Sequence, residues 1–373
     1  MEMKSDAPHI AIFVATSGHS GVDRLIKHLV PAIARRGYVV DVLKVRKHGP
    51  HLDRAGNRVN IIDMGTSHVY SSLPAVIQYL KGTGPVAMLA DKDRVNRTAL
   101  LAKALARVET RLILSSGTTI SIDLANRGTF ERCLQRFSMK HFYPSANNII
   151  VTSGGVADDM SAYTGLSRER INVVPCPVIP ETLLLRKPPR PKHSWFLPGA
   201  VPVILGAGEL CERKDFSTLI KAFAKVRKKR ECRLVILGKG RQKERLTNLV
   251  HELGIGGDVD FPGFKPDVYS YMAHASLFAF TSRWEGLGFV LIEALAVGTP
   301  VVATDCPSGP REILADGRYG PLVPVGDDEA VAEAIMKTLD APLPPGLLRE
   351  AALPYEIERS TTAYLRAMGF EQQ

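Results

Sequence analysis

Short apolar runs rich in β-branched residues alternate with longer stretches of helical spacing along almost the whole chain. In the first half the runs are HIAIFVA, VVDVLKV, RVNIID, PVAMLA, TRLILSS and NNIIVTS, with helical spacing between them at 22–36 and 97–107. In the second half VPVILGAG, CRLVILGKG, VDFPGF, LFAFTS and TPVVATD play the strands, and helices are expected at 216–230, 242–253, 268–275, 289–297 and 329–339. Strands that alternate with helices imply a parallel sheet covered on both faces, here twice. Between the halves runs PCPVIPETLLLRKPPRPKHSWFLPGAVP, dense in proline, which lacks an amide donor and resists helix interiors and central strands. The pattern predicts a domain at 1–178, a linker at 179–198, a second domain at 199–352, and a terminal helix at about 353–373 that packs back on the first domain. Two such domains facing each other across a cleft would turn the carboxyl ends of both sheets, where parallel sheets bind ligands, toward that cleft.

Length agrees, since 373 residues suffice for two cores. No stretch has the roughly 18 consecutive apolar residues of a membrane span, and the amino terminus reads as a first strand rather than an export signal. Five cysteines, Cys133, Cys176, Cys211, Cys232 and Cys306, are scattered and never spaced as a Cys-x-x-Cys pair, which suggests neither disulfides nor zinc and fits a reducing cytoplasm. The net charge of +10 is uneven: residues up to 185 hold 23 Lys and Arg against 15 Asp and Glu, the remainder 25 against 23. A basic first half suits an anionic acceptor or an anionic membrane surface as well as plain solvation. No basic motif interleaved with aromatics is present, so no nucleic-acid partner is expected.

The most specific passage is TSRWEGLGFVLIEALAVGTPVVATD, in which Glu285 and Glu293 lie eight positions apart around the start of a helix. The amides of Gly286, Leu287, Gly288 and Phe289 would fall at its amino-terminal end, where the helix dipole favours a diphosphate, and glycine at 286 and 288 allows close approach. The carboxylates would stand on the order of 10 Å apart, comparable to the reach from a sugar across a diphosphate to a ribose. This passage, with CPSGPREIL, RYGPLVP, RLVILGKG and VDFPGF, resembles the Glu-x7-Glu element of family 4 retaining glycosyltransferases of GT-B fold, two Rossmann-like domains facing across a cleft. The resemblance implies that Glu285 contacts the donor sugar, Gly286 to Phe289 the diphosphate, Glu293 the ribose, and Gly263 and Phe264 the base. GAGELCERKDF, which contains Gly208, is similar to the family segment whose arginine and lysine neutralise the departing diphosphate. Lys214 matches the lysine, Glu209 stands where the arginine is expected, and Arg213 is the candidate to supply that charge.

In the first half, TSGHSGVDRLIKHL is similar to the family's glycine loop before its first helix, where Gly18 and Gly21 would let phosphate or acceptor approach and His19 is a candidate by location. The family usually carries a histidine after the strand TRLILSS. Here Ser116 and Thr118 can only hydrogen-bond. Asp91-Lys92-Asp93 has the short Asp-x-Asp pattern of some metal-dependent transferases, but reads as a solvated or acceptor-facing loop. The expected protein is a retaining transferase with no metal and no cofactor beyond a nucleotide diphosphate sugar as co-substrate. It would act on a glycan or lipid-linked acceptor in bacterial cell-surface polysaccharide or glycolipid synthesis, in the cytoplasm or peripherally on the inner membrane face. A non-catalytic nucleotide-sugar binding protein and a GT-B epimerase or phosphorylase stay open as alternatives.

Overall fold

The computed structural model describes residues 7–16, 21–45, 49, 52, 56–125 and 127–370. They form two compact units, one of Met1–Val178 with Ile357–Gln373, the other of Ile179–Glu356.

The first unit runs β1 (His9–Val14), α1 (Gly21–Arg35), β2 (Val39–Lys44), β3 (Val59–Asp63), α2 (Leu73–Thr83), β4 (Ala87–Asp91), α3 (Asp93–Ala106), β5 (Arg111–Ser116), α4 (Ile120–Asp123), α5 (Thr129–Phe142), β6 (Asn148–Val151), α6 (Gly154–Thr164) and β7 (Ile171–Val173). Its sheet has the order β3-β2-β1-β4-β5-β6-β7, parallel throughout. Ile10, Ala11, Ile12 and Phe13 are fully buried, as a central parallel strand covered on both faces requires. Because β1 pairs with both β2 and β4, the chain reverses its direction of travel there, and the carboxyl ends of β1, β4 and β5 lie side by side at this switch.

The second unit runs α7 (Glu181–Leu185), β8 (Val203–Ala207), α8 (Phe216–Lys229), β9 (Arg233–Leu237), α9 (Lys243–Glu252), β10 (Val259–Gly263), α10 (Val268–His274), β11 (Leu277–Phe280), α11 (Phe289–Ala296), β12 (Val301–Thr304), α12 (Pro310–Ile313), β13 (Leu322–Val323), α13 (Asp328–Asp340) and α14 (Pro345–Ala352). Its parallel sheet has the order β10-β9-β8-β11-β12-β13, with the same kind of switch between β8 and β11. The proline-rich stretch is packed rather than loose: Phe196 is buried, and its ring meets Tyr271 edge-on at 5.3 Å.

A continuous terminal helix is expected from 353, and the structure interrupts it. Leu353–Tyr355 forms a short 3-10 turn around Pro354, Glu356 is extended and bridges to Ile179, and only then does α15 (Ile357–Ala367) begin. Proline cannot donate within a helix, so the break falls beside it. α15 belongs to the first unit, where Arg36 Nη2 of α1 donates to the Glu358 carbonyl at 2.7 Å and Tyr364 is buried.

Candidate active site

The second unit gathers its charges at the carboxyl ends of β8 and β11. After β8 the chain makes a 3-10 turn at Glu212–Lys214 and enters α8 through Asp215, whose left-handed backbone and carboxylate cap the helix by accepting from the Thr218 amide at 3.4 Å. The turn is fastened to the segment after β11: Thr281 Oγ1 donates to the Lys214 carbonyl at 3.1 Å, the Arg283 amide to the Arg213 carbonyl at 2.7 Å, and Arg283 Nε to Asp215 Oδ2 at 3.0 Å. These bonds aim Arg213 and Lys214 at one carboxylate. Lys214 Nζ lies 2.6 Å from Glu285 Oε1, Arg213 Nη1 2.5 Å from Oε2, and Ser282 Oγ donates to Oε1 at 2.8 Å.

Glu285 is only 7% exposed. Burial alone would raise its pKa, but the Lys214 and Arg213 charges, with hydrogen bonds from Lys214 and Ser282, outweigh that and hold the carboxyl below its ordinary range. It is ionised at neutral pH. Two cations therefore face one anion, and the cluster keeps a surplus positive charge. Gly208 makes room for the lysine, since a Cβ there would come within 3.1 Å of Lys214 Cε. Glu209, in the place of the expected arginine, is exposed, and Arg213 is the residue that joins Lys214.

Gly286 and Leu287 lead from Glu285 into Gly288, which has φ +99° and precedes α11; a Cβ on Gly288 would sit 3.2 Å from the Phe280 ring. That ring also lies 5.3 Å beneath Lys214 Nζ, so one aromatic supports both the lysine and the helix start. Phe289 is the first residue of α11 and is partly buried. One turn further on, Glu293 is fully buried, with Tyr269 Oη of α10 donating to its Oε1 at 3.1 Å. Gly263 ends β10 with φ +80°, and Phe264, immediately after it, holds its ring largely in solvent. Sequence reasoning gave no role to Ser282, Thr281, Arg283 or Tyr269. Ser282 stands in the Ser-x-x-Glu pattern and was within reach, whereas nothing in the sequence marks Tyr269.

In the first unit, Gly18 and His19 lie outside the described residues. Gly21 opens α1, where the Thr16 hydroxyl donates to the buried Asp23 carboxylate. Ser116 ends β5 half-buried, and Thr118 is exposed two residues beyond. The Asp-x-Asp pair is not a solvated loop. Asp91 is buried at the end of β4, where burial pushes its carboxyl up to about 6 although Ser115 and Lys92 oppose this. Asp93 accepts from Arg97 at 2.5 Å and from Tyr143 Oη at 3.1 Å. The two carboxylates are drawn into different networks, the first by strand β4 and the second by the first turn of α3. Among the described residues no group of three or more His, Cys, Asp and Glu is placed to hold a metal ion, and no helix is long and apolar enough to cross a membrane.

Two Rossmann-like units, each a parallel sheet with one reversal of strand order, define the GT-B class of fold. Residues 20–177 match the model of the glycosyl transferase 4-like domain, and 191–352 that of the glycosyl transferases group 1; the chain belongs to this glycosyltransferase family. It is similar to the N-acetylgalactosamine-N,N'-diacetylbacillosaminyl-diphospho-undecaprenol 4-alpha-N-acetylgalactosaminyltransferase of Campylobacter jejuni, 27% identical over 89% of this chain and 90% of that one. A lipopolysaccharide core biosynthesis glycosyltransferase, LpsE of Rhizobium meliloti, is 38% identical over 37% of this chain and 39% of its own length. Among solved structures, Anabaena HepE in complex with UDP and glucose superposes with a TM-score of 0.78 at 17% identity, covering 97% of this chain and 99% of that one. The chain is a glycosyltransferase.

Proposed function

We propose that this glycosyltransferase moves a sugar from a nucleoside diphosphate carrier to a glycan or lipid-linked acceptor of the cell surface, with retention of anomeric configuration and without a metal ion. The observation that carries the reading is the Lys214–Glu285–Arg213 cluster beside the amino-terminal end of α11. Its surplus cation and the positive end of the helix dipole suit a diphosphate. On donor binding the diphosphate takes Lys214 and Arg213 as partners, and Glu285, released from them, turns to the sugar hydroxyls. The ribose diol takes the place of the Tyr269 hydroxyl on Glu293, and the exposed Phe264 ring stacks on the base. The C1–O bond to the departing phosphate breaks as the acceptor oxygen bonds to C1, and the acceptor's proton passes to a leaving-phosphate oxygen. Retention rests on the Glu-x7-Glu resemblance. The lipid-linked acceptor rests on the names of the Campylobacter and Rhizobium relatives, and association with an anionic membrane surface on the basic first half.

A panel of nucleotide sugars scored by melting temperature tests the reading, because a ligand held only by the folded state raises it. The donor that stabilises most should release its nucleoside diphosphate when acceptor is added, with product NMR showing the same anomer as the donor. Release of free sugar alone, whether or not acceptor is present, would contradict transfer.

A further inference from the structure

Helix α5 is built inside out. Its inward positions are Gln135, Ser138 and Met139, with Ser138 Oγ donating to the Gln135 carbonyl at 2.9 Å, while its phenylalanines and its leucine face water. Phe130 is 82% exposed, Leu134 46%, Phe137 55% and Phe142 53%. The first three fall at i, i+4 and i+7, one stripe along the helix. The rings associate on the outside, Phe137 meeting Phe142 edge-on at 6.2 Å and the His141 ring at 4.5 Å. A helix that needed only to cover the sheet would turn these groups inward, because each exposed phenyl forgoes the stabilisation of burial.

The charges beside the stripe are nearly all positive. Arg136 and Lys140, both exposed and one turn apart, flank it, and the helix's single acid, Glu131, already accepts from Arg127 at 2.8 Å and from Arg94 of α3 at 3.3 Å. Aromatic and leucine side chains alternating with arginine and lysine match a bilayer interface, where rings enter the headgroup boundary and cations meet lipid phosphates. A second copy stacked on this face would set the same cations against one another. We propose that α5 is the membrane-docking element of this protein. It lies in the plane of an anionic bilayer with Phe130, Leu134 and Phe137 inserted and Arg136 and Lys140 on the lipid phosphates. The inference extends the reading of a membrane-associated acceptor. Vesicle binding is measured without donor or acceptor, so it and the transferase reading can fail separately.

Cys133 sits exposed on the same helix, whereas Cys176, Cys232 and Cys306 are buried. In the full chain carrying Cys211→Ser, an environment-sensitive fluorophore on Cys133 is titrated with phosphatidylcholine vesicles with and without phosphatidylglycerol. Emission should shift to the blue only with the anionic lipid. The partition constant should fall about 30-fold or more in Arg136→Glu/Lys140→Glu, because each cation near such a surface contributes independently. It should fall roughly tenfold or more in Phe130→Ser/Phe137→Ser, whose melting temperature should not drop. The charge-reversal pair changes two exposed side chains and stands as the test if the serine variant fails to fold. The proposal is overturned if the anionic vesicles produce no shift, or if folded variants bind them as tightly as the parent. It is equally overturned if light scattering finds a dimer that Phe130→Ser/Phe137→Ser makes monomeric.

Discussion

Lys214 Nζ stands 2.6 Å from Glu285 Oε1, and this pair ties the turn before α8 to the loop before α11. Both side chains are largely withdrawn from water, yet neither belongs to a hydrophobic core cluster. With Arg213 on the other carboxylate oxygen, the arrangement holds one cation more than it needs for neutrality. That imbalance would be costly in a purely structural ion pair and is useful where a diphosphate is to be received.

Lys214→Ala should therefore cost far more in turnover than in stability. Loss of a contact to charge that develops on a leaving group commonly costs about 100-fold or more in rate. The remaining Arg213 and Ser282 still satisfy Glu285, so unfolding in urea should register a loss of only about 2 kcal/mol. Full turnover at saturating donor in the folded variant would remove Lys214 from the site.

Glu285 should leave a signature at acid pH. Its folded pKa is depressed, so its contribution to stability is complete above the unfolded value near 4.5 and is lost as pH falls through the lower folded one. Glu285→Gln, less stable than the parent at neutral pH, should lose part of that disadvantage below the ordinary carboxylate range. Parallel stability profiles of the two proteins across that range would show that the cations do not hold the carboxylate.

Asp91 should behave in the opposite sense. Its folded pKa of about 6 exceeds the ordinary aspartate value of 3.8, so the native state binds the proton more tightly and stability falls as pH rises between the two. Asp91→Asn removes this penalty and should gain on the parent by on the order of 2–3 kcal/mol between acid and neutral pH. A difference between the two melting curves that stays constant from pH 4 to pH 7, a window set by about those two values, would contradict the buried carboxylic acid.

Gly288→Ala tests the approach to α11. A side chain at φ +99° is strained, and its Cβ would press on the Phe280 ring that also supports Lys214. Stability should fall by about 1–3 kcal/mol and donor KM should rise, both read on one preparation. Unchanged KM would separate the helix start from donor binding.

Much of the fold was legible because each central strand is an apolar run bounded by helical spacing. The strands β7 and β13 were not, since Ile171–Val173 and Leu322–Val323 are too short to carry a period and lie at the sheet edges. The charge cluster was legible in Glu285 and Lys214. Arg213 was nominated only as a replacement for the missing arginine, and the tertiary bonds through Thr281 and Arg283 that aim it have no local pattern. The burial of Asp91 and Glu293 was likewise invisible, because three-dimensional packing rather than residue type decides whether a carboxylate meets water.

The most direct measurement is calorimetric titration of nucleoside diphosphate into the protein and into Arg213→Ala/Lys214→Ala, starting with UDP, the nucleotide held by the similar Anabaena protein. If another diphosphate raises the melting temperature more, it takes the place of UDP. The parent should bind and the folded double variant should lose about 100-fold in affinity, as expected when two charge-assisted contacts to phosphate are removed. Equal affinity in the two proteins would place the diphosphate away from Lys214 and Glu285 and contradict the account.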